Sequence, residues 1–147
     1  KKEVKDAYEI RSLIELRALD LFFDEMSKEE ISLLIKKTKQ LISAKKRKEH
    51  SEIDIFKERI DLDNSFHRYI VSKMNNKLIS DFHKNTESIS LLARINLPPH
   101  YHTQGQALHE HLEILNSILN NDKKSAKRAL KNHLNEASQR AISAINL

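Results

Sequence analysis

Residues 52–74 read EIDIFKERIDLDNSFHRYIVSKM, and this stretch decides the fold. Phe56, Ile60, Asp63, His67, Ile70 and Met74 fall at alternating steps of four and three, the spacing of one inward-facing helical seam. The spacing predicts a helix from about Glu52 to Met74 with two polar residues, Asp63 and His67, at the centre of its buried face. Residues four apart project from the same face, one turn apart. A carboxylate buried without a partner is costly. Either a protonated His67 therefore pairs with Asp63, or both serve a cation.

Helices are expected on both sides of this stretch. The first runs from about Val4 to Met26, with Val4, Ala7, Ile10, Ile14, Ala18, Leu21 and Phe22 at helical spacing. Ser27-Lys28-Glu29-Glu30 reads as a capping box, with Ser27 as N-cap and Glu30 three positions on. The helix it starts carries Ile31, Leu34, Ile35, Thr38, Leu41 and Ile42, and a polar connection spans Ala44 to Ser51. Asn75-Asn76 marks a break after the central helix. A further helix then runs from about Lys77 to Ile95, ended by Pro98-Pro99. The last two run from about Gln104 to Leu119 and from Lys123 to Ile145. Asn120-Asn121-Asp122 joins them, so short a link that they are antiparallel neighbours, with Asp122 the N-cap.

Composition agrees. One Gly and two Pro in 147 residues are too few for the turns of a sheet protein. The absence of cysteine excludes disulfides, thiolate metal sites and Cys nucleophiles. No apolar run approaches a membrane span, and Lys1-Lys2-Glu3-Val4 lacks a signal-peptide core, so a cytoplasmic location is expected. The net charge of +5 comes from lysines interleaved with acids. The one dense run, Lys45 to Lys48, has no aromatic interleaving and reads as a solvated loop rather than a nucleic-acid surface. No repeat or composition shift divides residues 1–147, which read as a single domain.

The final hairpin supplies two more candidate ligands. His111 lies ten residues before Asn121 and His133 twelve after it, so both imidazoles sit about 15–18 Å from the turn at 1.5 Å per residue. His111 shares its face with Leu108, Ile114, Leu115 and Ile118; His133 shares its face with Ala126, Ala129, Leu130 and Ala137. Three imidazoles and a carboxylate suit zinc, nickel, cobalt, manganese or iron and leave a position for an anion. Spacing alone leaves this cluster and three hydrogen-bonded buried histidines as alternatives. His109 should point elsewhere, His100 and His102 read as loop residues, and His50 and His83 show no partner pattern.

Taken together, these residues resemble a known family. Tyr8 to Glu15, with Arg11 followed four residues later by Glu15, is similar to its opening pattern. Asp63-Asn64-Ser65-Phe66-His67 with Asn76 after it, and Glu110-His111-Leu112-Glu113-Ile114-Leu115 followed by Asp122, Ala126 and Asn132-His133-Leu134, match its later motifs. The chain looks like the C-terminal effector (FCD) domain of GntR-superfamily regulators of the FadR subfamily. The resemblance implies an all-α, antiparallel bundle of six or seven helices. It implies a divalent ion, zinc or nickel first and manganese or iron next, held by Asp63, His67, His111 and His133. It also implies a small carboxylate effector bound with the help of Arg11, and a homodimer. Arg94, near the end of its helix, is a further candidate for lining that cavity, and Asn76 reads as a helix cap or, alternatively, a ligand contact. The family's N-terminal winged helix-turn-helix, which reads operator DNA, has no counterpart here, and Asn75 stands where a Gly is often found. A metal-dependent enzyme and a purely structural metal domain are the rival readings.

Overall fold

The central stretch forms a helix over Glu52–Ser72 (α3), and its inward face is wider than a two-position seam. Arg59, Leu62, Asp63, Phe66, His67, Ile70 and Val71 are buried, while Phe56, Ile60 and Met74 are only half-buried. About four positions per two turns face inward because α3 packs against three neighbours rather than one. The structure, a computed structural model, describes residues 1–44, 52–95 and 105–145, except the side chains of Glu52 and Arg94. The expected Ala44–Ser51 connection, the Pro98-Pro99 stop, the basic run and His50, His100 and His102 fall wholly or mostly outside these.

The described residues form helices and turns only. Around α3 stand α1 (Lys2–Phe22), α2 (Lys28–Ala44), α4 (Lys77–Ile95), α5 (Gln106–Leu119) and α6 (Lys123–Ala144). α1 packs on α3, α4 and α6; α2 packs on α3 and α5; α5 and α6 form the hairpin. The fold is therefore the expected all-α bundle. No described helix is long and apolar enough to cross a membrane.

The boundaries follow local chemistry. α1 gives way after Phe22 to a 3-10 turn over Phe23–Glu25, then to extended backbone at Met26. This turn drives Phe23 and Met26 into the core, so the first helix ends earlier than its periodicity suggested. Ser27 starts α2 as expected, its Oγ accepting from the Glu30 amide at 3.3 Å. The other half of the capping box is different: the Ser27 amide donates to the Tyr69 hydroxyl at 3.0 Å, and Glu30 instead meets Lys73 at 3.3 Å. Asp122 caps α6, accepting from the Ser125 amide at 3.0 Å. A largely apolar core, from Val4, Tyr8 and Leu19 through Phe66 and Ile70 to Ile114, Leu115, Leu130 and Leu134, joins α1, α3, α5 and α6.

Asn75 closes the α3–α4 link at φ 46°, in the left-handed region. Asn tolerates this conformation better than most L-residues, but only Gly adopts it without strain. Asn75→Gly is expected to raise stability by about 0.5 kcal/mol and Asn75→Val to lower it by about 1 kcal/mol, read from urea midpoints.

Candidate metal centre

Asp63 and His67 are one turn apart on the buried face of α3, and the α5–α6 hairpin brings His111 and His133 to the same depth opposite them. All four side chains are buried, and one ligand atom from each lies within 4.8 Å of the others. The Nε2 atoms of His111 and His133 are 3.1 Å apart, and those of His133 and His67 are 3.2 Å apart. Asp63 Oδ1 is 3.4 Å from His111 Nε2 and 3.8 Å from His67 Nε2. Two nitrogens each about 2.05 Å from one ion stand about 2.9 Å apart at a right angle and about 3.4 Å apart at a tetrahedral angle. The two nitrogen–nitrogen separations fall inside that range, while Asp63 stands slightly farther from His67.

The hydrogen bonds behind the rings test whether a cation fits. His67 Nδ1 lies 2.6 Å from Glu15 Oε2, and His133 Nδ1 lies 2.7 Å from Glu110 Oε2. An ionised carboxylate only accepts, so each Nδ1 carries the hydrogen, and in the neutral ring each Nε2 is then a bare lone pair. Two lone pairs 3.2 Å apart in a buried site repel unless a positive centre lies between them. The donor set therefore fits a divalent ion. Among the described residues His111 Nδ1 is buried without a hydrogen-bond partner; its ring is held by stacking on Phe66, centroids 4.2 Å apart.

Burial pushes His67 down to about 4, against the opposing pull of Glu15. Burial also drives His111 well below the usual histidine range, with His133 adding to the shift. Both rings therefore sit in the uncharged form that can ligate. Burial alone would raise Glu15, but His67, Arg11 and His83 around it hold the carboxyl well below its usual range. Glu110 is likewise held at about 2: burial opposes its charge, and the hydrogen bonds from His133 and Arg140 prevail.

Among the other expected residues, Arg11 is buried and its Nε donates to Glu15 Oε1 at 3.0 Å. Burial opposes its charge, but Glu15, Tyr8 and Asp63 outweigh that and keep the guanidinium protonated. Asn76 is exposed and its Oδ1 accepts from the Ile79 amide at 3.2 Å, so it caps α4. The side chain of Arg94 lies outside the described residues. His109 is exposed, as its spacing implied.

Two further groups have partners that sequence spacing does not reveal. His83 does have partners: it is buried, with Nε2 2.9 Å from Glu15 Oε1 and Nδ1 3.4 Å from Glu87 Oε1. Burial lowers it, yet the bonds to Glu15 and Glu87 leave its pKa raised. Arg68 closes this line at the surface, with Nη2 2.6 Å from Glu87 Oε2. The second group is Glu110, which accepts from Arg140 at 2.8 Å on both oxygens. Glu15 carried a readable signal, because Val4, Tyr8, Arg11, Glu15 and Ala18 step by four and three along one buried face. His83 carried none, since the buried face of α4 there is Thr86, Glu87 and Ser90.

Comparison with known proteins adds the following. The FCD-domain family model matches residues 6–136. The uncharacterized HTH-type transcriptional regulator YdhC of Bacillus subtilis (strain 168) is 28% identical over 134 residues, covering 91% of this chain and 58% of the relative. The chain thus spans well under two thirds of that relative's length. Two solved structures share the fold. The metal-free FCD domain of TM0439 has a TM-score of 0.77 at 24% identity, covering 99% of this chain and 95% of the other. The Zn2+-bound form has a TM-score of 0.76 at 23% identity, covering 98% and 94%.

The histidine pKa values set an acid limb for the metal-free protein. His67 is depressed from 6.5 to about 4, so the unfolded chain takes up protons that the folded one refuses. The stability held above pH 6.5 is lost as pH falls through about 4. His111 and Glu15 act in the same direction, while His83, raised, acts in the opposite one. Thermal midpoints in chelator should fall steadily from pH 6.5 to 4, and His67→Gln should flatten that fall.

Proposed function

The chain belongs to the FCD-domain family, and from that premise we propose that it is the effector-sensing domain of a bacterial transcriptional regulator of the GntR/FadR type. In this reading Asp63, His67, His111 and His133 hold a divalent ion, and a small organic acid completes its shell. The observation that carries it is the convergence of four buried donor atoms within 4.8 Å. The Zn2+-bound TM0439 domain, alike in fold, supports zinc as the first ion to test, with nickel, manganese and iron sharing the ligand preference.

When bound, the ion supplies a Lewis-acidic positive centre. The chain's own residues do the rest. Glu15 and Glu110 keep the hydrogens of His67 and His133 on the far nitrogens. Arg11 is the residue to pair with the effector's carboxylate: its guanidinium is buried and charged, and its field reaches Asp63. The acid biases the bundle only by its differential affinity for two arrangements of helices or subunits. DNA binding belongs to an N-terminal module of the whole protein, which we take to be a cytoplasmic homodimer. Relatives in this family are regulators rather than enzymes, which disfavours the metalloenzyme alternative.

Elemental analysis with native mass spectrometry of protein purified without chelator is expected to show one divalent ion per chain, and His111→Ala with His133→Ala should abolish it. A chain that stays metal-free in metal-replete medium overturns the reading. Among candidate acids, the effector should raise the melting temperature of the metal-loaded protein in step with its concentration, by about 2.7 kcal/mol of stability at 100 times its Kd. With the ion kept in excess so that the site stays loaded, Arg11→Ala should remove that response; unchanged acid affinity in this variant removes Arg11 from the site.

A further inference from the structure

The two outer carboxylates are built alike. On one side Arg11 Nε donates to Glu15 Oε1, and Glu15 Oε2 accepts from His67 Nδ1. On the other, Arg140 donates to both oxygens of Glu110, and Glu110 Oε2 accepts from His133 Nδ1. We propose that Glu15 and Glu110 are positioning residues for the metal centre, each fixing the tautomer and ring plane of one histidine, with Arg11 and Arg140 holding the carboxylates in place. This rests on the metal reading above.

A neutral imidazole has one hydrogen and two nitrogens. Left alone, it places the hydrogen on either, and only one choice leaves Nε2 free to ligate. A carboxylate at Nδ1 makes the choice and makes the ring a better donor. The carboxylate must itself be fixed, because a rotating acceptor would let the ring turn. Arg140 does this with two parallel bonds to Glu110, a geometry that defines a plane. Around Glu15 the oxygens are divided: Arg11 and His83 occupy Oε1, which leaves Oε2 to His67. His111 shows the contrast. Its Nδ1 is buried with no partner among the described residues, and the Phe66 ring, 23° from parallel, orients it instead. Among the three candidate ligand rings, a carboxylate at Nδ1 is thus found on two.

The test is Zn2+ affinity at pH 7.5 by competition with a chromophoric chelator, alongside 15N shifts of the histidine ring nitrogens in metal-free protein. Wild type is expected to bind Zn2+ and to show the hydrogen of His133 on Nδ1. Glu110→Gln should weaken Zn2+ binding by roughly 10–100-fold and mix the two His133 tautomers. Arg140→Met should produce a smaller loss of the same kind. A wild type that binds no Zn2+ overturns the metal reading itself. A wild type that binds, with Glu110→Gln equal to it in affinity and tautomer, overturns the positioning role alone. If Glu110→Gln does not fold, the wild-type spectrum decides, since a His133 hydrogen on Nε2 rules the proposal out.

Discussion

Desolvation of a few polar side chains sets the terms for this bundle. Glu15 has no exposed surface, and Arg11, His67, His111 and His133 are nearly as deeply buried. Each would cost several kcal/mol if buried alone. They are tolerable because each satisfies the next: arginine on carboxylate, carboxylate on imidazole, imidazoles around a common point. Helix positions must therefore be accurate to within hydrogen-bond tolerance, which the surrounding apolar core of Leu19, Phe66, Ile70, Ile114 and Leu130 supplies. The polar chain selects among the packings that hydrophobic burial allows.

The division of labour among helices follows. α3, α5 and α6 carry the four candidate ligands, while α1 and α5 carry the carboxylates behind them. α4 faces the bundle with His83, Thr86, Glu87 and Ser90 rather than an apolar stripe. Its contact with α1 is consequently held through His83 to Glu15, and its contact with α3 through Glu87 to Arg68. Interfaces of this kind gain little from approximate fit and lose much when one partner is removed.

What could be read from the sequence depended on whether a residue broke an otherwise regular pattern. Asp63 and His67 stood out because apolar residues flank them at helical spacing, and His111 and His133 because equal distances from a short turn mean equal depth. The same logic applied to α1 would have flagged Arg11 and Glu15 as charges in a buried seam, beyond their part in a family motif. Glu110 lay next to a singled-out histidine but on a different face, and nothing in spacing could show that it reaches across to α6. His83 sits on a polar face with no apolar pattern to interrupt. Helix ends were legible where a side chain caps, at Ser27, Asn76 and Asp122, and drifted where core packing decides, as at Phe23 and Met26.

The ligands come from three well-separated stretches of the chain, though they are close in space. A chain without cysteine has no covalent staple, yet an ion shared between Asp63 and His133 would close a loop of about seventy residues, comparable to a disulfide worth about 4 kcal/mol of chain entropy. Unlike a disulfide, such a staple is set by ion availability rather than redox state. In that sense the site would act as a removable cross-link, making the rigidity of the whole bundle a function of its ionic surroundings.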